Sequence, residues 1–383
     1  MKAMKTEKKK VLRVSTIPLS LNLLLKGQLK MLNEEYEVVA VSSPGEDLEA
    51  VAEREGVRTV ELPMERRISL FKDIRSLWAM IKLIRKEKPW MVYSLTPKAG
   101  LVTMIAGKLC GVPVRVHMFT GLVFPTATGL KRQILMFTDR LTCFCATVVN
   151  PEGEGVKRDL ERYHISSKPL TIIGNGNING LDMDFYDRTP EVLEKAKAYQ
   201  KEGTTTYCFV GRIVGDKGIN ELVSAFKRLH AEHPATRLLL VGPFEDNLDP
   251  VSEETRNTIE TLSAIEAVGW QSDVRPFLAA SDVFVFPSYR EGFPNVVMQA
   301  GALGLPSIVT DINGSNEIIR NRENGVIIPS KDEEALYQTL KDTLENPDKW
   351  KTIAANARES IARRYEQQML WKEIKKFYKQ QEA

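Results

Sequence analysis

No run of about 18 apolar residues occurs, so nothing in the sequence reads as a membrane-spanning helix. Cysteine is scarce: the four stand at 110, 143, 145 and 208, each in an apolar stretch. Cys143 and Cys145 are two apart and would share a face on a strand, but no second pair completes a zinc site. They read as core thiols in a reducing compartment. Charge of one sign is also lacking. A net +3 is too small to argue for nucleic acid, although basic residues cluster in the first half. Met1–Lys10 is polar and lysine-rich without the apolar core of a signal peptide, and reads as a flexible basic N-terminus of a cytoplasmic chain. The G-x-G-x-x-G fingerprint is missing, which disfavours a dinucleotide oxidoreductase, and so is the Gly-Lys-Ser/Thr ending of a Walker A loop. No Asp-x-Asp stands at a strand end, no short repeat recurs, and there is no low-complexity tract.

What is present suits two globular cores: 383 residues, 43% hydrophobic and 27% charged. Short apolar runs alternate with longer amphipathic ones. Residues 11–15, 37–42, 57–62, 91–95, 112–119 and 147–150 read as strands; 19–32, 70–88, 98–110 and 131–141 read as helices. This βαβα order predicts a parallel sheet covered by helices. Residues 172–182, rich in Gly and Asn, read as a linker because both residue types tolerate positive φ. The pattern then restarts, with strands at 206–210, 237–241, 264–268, 283–286, 307–309 and 325–328 and helices at 217–230, 295–303, 333–344 and 350–363. Two such blocks predict two domains with a cleft at the carboxyl ends of their strands. Leu370, Trp371, Ile374 and Phe377 recur at helical spacing in the tail, which must therefore dock.

Two constellations in the second block carry chemistry. Phe209-Val-Gly-Arg-Ile-Val-Gly-Asp-Lys-Gly sets Gly211 at a strand end, where backbone can approach a ligand, with the cations Arg212 and Lys217 beside it. A diphosphate needs such cations and free backbone N–H groups; on spacing alone, both cations also fit solvated loop positions. The run Ser288-Tyr-Arg-Glu-Gly-Phe-Pro-Asn-Val-Val-Met-Gln leads from a strand through a turn at Glu291-Gly292 into a helix with Pro294 near its first position. The amides of Phe293, Asn295 and Val296 would then point outward, favouring negative charge. Glu291 suits acceptance from sugar hydroxyls, or is a simple turn residue; Gln299 lies one turn into the helix.

Together these motifs resemble glycosyltransferase family 4, retaining enzymes of the GT-B fold, most strongly over residues 210–329. The resemblance implies an α/β chain of two facing Rossmann-like domains, with the C-terminal helix crossing back to the first domain. The expected acceptor domain spans residues 11–175 plus about 365–383, and the donor domain 176–364. It implies that Arg212 and Lys217 hold the diphosphate of a nucleotide sugar without a metal or other cofactor, and that Glu291 contacts the donor sugar. It implies that Gly292 to Val296 line the donor site and that the stretch around Trp270 reads the base, with uridine favoured. Gln299 stands where the family has a second glutamate for the ribose; it still accepts and also donates. Domain closure over the linker would exclude water. Two rivals remain: a GT-B sugar-nucleotide epimerase, and a nucleotide-sugar-binding scaffold of a polysaccharide assembly complex.

The first block holds the acceptor-side candidates. Relatives carry a histidine immediately before the glycine that aligns with Gly121; here Thr120 holds that position and His117 stands three residues earlier. Thr16 shapes the turn after the first strand, where relatives have a Gly-Gly pair. Lys98, read at a strand end, is a candidate for an acceptor phosphate. Basic and apolar residues interleave at 66–72 and 130–137, which fits either a solvated helix face or contact with anionic lipid. The resemblance implies a polyprenyl-diphosphate-linked glycan acceptor in capsule, O-antigen or exopolysaccharide synthesis at the inner face of the cell membrane.

Overall fold

The computed structural model describes residues 8–65, 69–246 and 249–382. The chain forms two compact units, Met1–Gly180 with Gln368–Ala383, and Leu181–Gln367.

The first unit holds six parallel strands: β1 (Lys10–Val14), β2 (Glu37–Ser42), β3 (Arg58–Glu61), β4 (Met91–Ser94), β5 (Val114–Phe119) and β6 (Val148–Pro151). Their order is β3-β2-β1-β4-β5-β6. Chain direction across the sheet reverses between β1 and β4, so the loops after those strands diverge and leave a crevice. Helices Leu70–Glu87, Pro97–Leu109 and Gly129–Cys145 pack side by side on this unit. The predicted helix 19–32 is instead two helices, Pro18–Leu24 and Gln28–Asn33. The break is Gly27, at φ +80°, where a Cβ would stand 2.8 Å from the Trp371 ring. Cys143 and Cys145 end a helix rather than lying on a strand, and both are buried. Of the segment 66–72, residues 66–68 lie outside the described residues.

The C-terminal helix Gln367–Gln380 returns to this unit. Leu370, Ile374, Phe377 and Tyr378 join the cluster that covers β1, β2 and β4. Arg13, buried on β1, donates to the Tyr378 hydroxyl at 2.8 Å and lies 4.1 Å from the Tyr93 ring centre. The 172–182 segment docks as well. The Asn177 carboxamide oxygen accepts from the amides of Asn179 and Gly180, and Asn179 in turn accepts from Trp371 Nε1 at 2.8 Å.

The second unit repeats the plan with β7 (Thr205–Val210), β8 (Thr236–Val241), β9 (Ile265–Gly269), β10 (Val283–Phe286), β11 (Ser307–Thr310) and β12 (Gly325–Ile328), in the order β12-β11-β10-β7-β8-β9. The switch point falls between β7 and β10. Both motifs that carry chemistry lie on the loops leaving these two strands. The strand cores are Tyr207, Phe209, Leu238, Leu240, Phe284 and Phe286, all buried, which is why continuous apolar runs marked them.

Candidate active site

In the second unit, β7 ends at Val210 and the Gly211 amide donates to Val241 O at 2.9 Å. Arg212 follows and pairs with Glu245; its side chain stays 43% exposed. The chain then turns through the short 3-10 segment Gly215–Lys217, and the helix Ile219–Glu232 starts two residues after Lys217 rather than at it. Lys217 forms an ion pair with Glu291, from the loop after β10, and its ammonium lies 5.5 Å from the Phe286 ring centre. Ser288 Oγ donates to the same Glu291 oxygen at 2.8 Å. One cation and one carboxylate, 74 positions apart, thus meet where the two sheet halves diverge.

A second set of contacts ties these loops together. The Tyr289 amide donates to Asp216 O at 2.9 Å, Arg290 pairs with Asp216 Oδ2 at 2.9 Å, and the Tyr289 hydroxyl donates to Glu221 at 2.5 Å. Burial, with the Glu221 carboxylate adding to it, raises the Tyr289 hydroxyl well above its ordinary pKa and keeps it a donor. Gly218, at φ +69°, passes so close to the β10 loop that a Cβ there would stand 2.2 Å from Pro287 O.

The helix after Glu291 runs Asn295–Ala302, so Pro294 is its capping residue rather than its first. Pro294 gives that end no side-chain cap. Gly292, Phe293 and Pro294 are buried, and Asn295 and Val296 are half-buried. Gln299, at the fifth helical position, donates from Nε2 to the Tyr186 hydroxyl at 2.8 Å. Trp270 follows β9 and is 70% exposed.

In the first unit, the β1 and β4 loops meet through Thr16 and Thr96, whose hydroxyls lie 2.7 Å apart; the Ala99 amide donates to Thr16 Oγ1 at 3.2 Å. Lys98 is not at the strand end but is the second residue of the helix Pro97–Leu109, and its ammonium holds Asp73 at 2.5 and 2.6 Å. Thr16, Thr96, Asp73, Lys98 and Lys131 line a cleft of about 640 Å³. Thr120 is half-buried and donates to Leu95 O at 3.1 Å, with Gly121 beside it at φ +123°.

His117 is 1% exposed on β5. Its Nδ1 lies 2.9 Å from Ser94 Oγ and its ring packs over Gly100, where a Cβ would stand 2.3 Å from Cε1. Burial lowers its pKa to about 3, so it is neutral throughout the physiological range. The geometry gives His117 a packing role, in place of the acceptor-side one considered from its sequence position. The unfolded histidine titrates near 6.5, so the unfolded chain binds the extra proton first as pH falls. Stability from this site is full above about 6.5 and drains away below it, at up to about 1.4 kcal/mol per pH unit. Melting curves from pH 7.5 to 5 should show a flatter acid limb for His117→Gln than for the wild type; parallel curves would remove histidine burial as the cause.

The model of glycosyl transferases group 1 matches residues 192–360, and that of the glycosyl transferase 4-like domain matches 28–176. The capsular polysaccharide biosynthesis glycosyltransferase CapM of Staphylococcus aureus is 30% identical over 371 residues, covering 96% of each chain. The chain belongs to glycosyltransferase family 4. This glycosyltransferase is also 26% identical to the UDP-Gal:alpha-D-GlcNAc-diphosphoundecaprenol alpha-1,3-galactosyltransferase of Escherichia coli, over 86% of this chain and 87% of that one. In fold it is similar to HepE of Anabaena, solved with UDP, at a TM-score of 0.80 and 17% identity over 97% of this chain and all of that one. The architecture is GT-B. Membership makes the chain a transferase.

Several members of the transferase's loop network escaped the sequence reading. Asp216, Tyr289 and Arg290 stood inside the quoted motifs, and their adjacency to Lys217 and Glu291 was the available signal. Asp73 and Tyr186 had none, because each meets its partner, Lys98 or Gln299, only through the fold.

Proposed function

We propose that the chain is a retaining glycosyltransferase that moves a sugar from a UDP-sugar to a polyprenyl-diphosphate-linked glycan in surface polysaccharide synthesis. The Lys217–Glu291 pair at the switch point of the second unit carries this reading. An incoming diphosphate takes over Lys217 as its cation and Arg212 as a second. That frees the Glu291 oxygens to accept from sugar hydroxyls. The helix start at Asn295 adds a positive dipole end. As the bond between the anomeric carbon and the diphosphate oxygen breaks, negative charge grows on the leaving diphosphate, and these groups stabilise it. The acceptor hydroxyl forms the new bond on the same face, and its proton leaves with the diphosphate. Gly211, Gly292, Phe293, Pro294 and Val296 shape the donor site, Trp270 offers an exposed ring to the base, and Gln299 reaches the ribose.

The names of the relatives support the rest. The Escherichia coli protein is named for a UDP-sugar and a diphosphoundecaprenol acceptor, the Staphylococcus aureus one for capsular polysaccharide, and HepE holds UDP. The first unit then serves as acceptor domain, with Thr16, Lys98, Thr120 and Gly121 around its crevice. The chain works in the cytoplasm, peripheral on the inner face of the cell membrane.

Thermal melting with UDP, GDP and ADP tests the donor site. UDP at a hundred times its dissociation constant should add about 2.7 kcal/mol of stability, and Lys217→Ala should abolish the shift. A shift with GDP or ADP instead changes the base; a shift that survives Lys217→Ala removes the site.

A further inference from the structure

Tyr186 stands outside both motifs, in the segment that opens the second unit, yet its side chain reaches the helix Asn295–Ala302. Local chemistry builds that segment. The Asp182 carboxylate accepts from the amides of Asp184 at 3.1 Å and Phe185 at 2.9 Å, and the Tyr186 amide donates to Asp182 O at 2.9 Å. A short Asp side chain makes such turns because it reaches backbone two and three residues on. The turn is also clamped from behind. Arg358 donates to Tyr186 O at 2.8 Å and to Met183 O at 3.0 Å, and its guanidinium also donates to Ala302 O, at the last residue of that helix. Arg188 adds a bond to Leu303 O at 2.8 Å. Two planar cations, each bonding in a fixed fork, thus tie residues 183–188 to the far end of the helix that carries Gln299.

The same turn holds the loop after β9. Arg275 pairs with both oxygens of Asp273, at 2.9 and 2.8 Å. It also donates to Phe185 O at 2.9 Å, and its guanidinium lies 3.7 Å from the Phe185 ring centre. Trp270 stands five residues before Arg275 on the same stretch of chain. One ring of the Phe185-Tyr186 pair therefore supports the Trp270 loop and the other meets Gln299.

At its tip the Tyr186 hydroxyl accepts from Gln299 Nε2 at 2.8 Å; among the described residues it is the one side chain bonded to that carboxamide. Burial pushes the Tyr186 hydroxyl up to about 12, so it stays a neutral phenol. A carboxamide has one acceptor oxygen and two N–H donors, and its last torsion is soft. Spending one N–H on a fixed phenol stops that rotation. What remains is one acceptor, Oε1, and one N–H. A vicinal diol matches this pair: one hydroxyl donates to Oε1 and the other accepts from the N–H. A carboxylate at position 299 would offer acceptors only.

We propose that Tyr186 is a positioning residue for the ribose of the donor, locking the Gln299 carboxamide in the orientation that bonds the 2′,3′-diol. This rests on the donor-site reading above and adds to it a residue 113 positions from Gln299 that neither motif contains. The turn that fixes Tyr186 also supports the loop carrying Trp270, so the contacts to ribose and base share one footing.

The test titrates the full chain by calorimetry with UDP, GDP and their 2′,3′-dideoxy analogues. Wild type should prefer the natural diphosphate of its base over the dideoxy form by about 10-fold or more. Tyr186→Phe removes one oxygen and keeps the ring. It should weaken the natural nucleotide by about 3–10-fold and change the dideoxy form by less than about 2-fold. Gln299→Ala should erase most of the preference, and adding Tyr186→Phe to it should cost nothing further. A residue that only supports the fold would lower both nucleotides together, or would keep its cost in the Gln299→Ala background. Either result overturns the positioning role, and so does a wild type without preference. The donor site fails separately: if neither natural nucleotide binds, or if Lys217→Ala binds like wild type, the site is misplaced and the ribose assignment falls with it.

Discussion

Lys217→Ala should lower turnover by about 10²-fold or more, the loss seen when a fixed donor to developing negative charge is removed. Lys217 is the more consequential of the two cations because the fold fixes it. It ends a 3-10 turn, pairs with Glu291, and both side chains keep only 14% and 17% of their exposure. Arg212 is 43% exposed and pairs with Glu245, so it must swing before it can serve a diphosphate. Arg212→Ala should also cost about 10²-fold, more of it in donor affinity. The substitution at Lys217 leaves Glu291 without its cation, so melting curves must accompany the kinetics. A variant that melts like wild type and turns over slowly fits the assignment. Near-normal turnover in both variants would break it.

Gly218→Ala should damage fold and activity together. Position 218 sits at φ +69°, a region that costs a residue with a Cβ about 1–2 kcal/mol. The added carbon would also stand 2.2 Å from Pro287 O, which is backbone and cannot rotate away. The two costs amount to about 3 kcal/mol or more, a melting-point drop of roughly 6–12 °C for a unit of this size. The kinetic effect should exceed the stability effect, since the only relief is to part the β7 and β10 loops that bring Lys217 to Glu291. Turnover measured well below the variant's melting point separates the two. A variant with wild-type melting and turnover would mean that the loops are not held at this contact.

The strands were legible because both sheets are parallel and covered, so each strand is a continuous apolar run; 37–42, 283–286 and 325–328 match to the residue. The two loops that carry Lys217 and Glu291 were legible because Gly, Pro and charge mark them locally. What the sequence hid depends on distant partners. Gly27 breaks a helix where Trp371 crosses it, 344 positions on, and no local periodicity records that. His117 looked like a candidate because of where it stood in the chain, yet its surroundings, Ser94 and Gly100, come from other elements. Lys98 read as a candidate for an acceptor phosphate because its partner Asp73 belongs to another helix.

The return of the last helix to the first unit sets an order on synthesis. As the chain leaves the ribosome, residues 10–180 emerge long before Tyr378. Until that hydroxyl arrives, Arg13 waits under β1 without the partner it donates to, and the flank later covered by Leu370, Ile374 and Phe377 faces water. The unit made first is therefore the unit finished last, and a ribosome that stalls anywhere before the final turn releases a half-covered sheet rather than a smaller working protein.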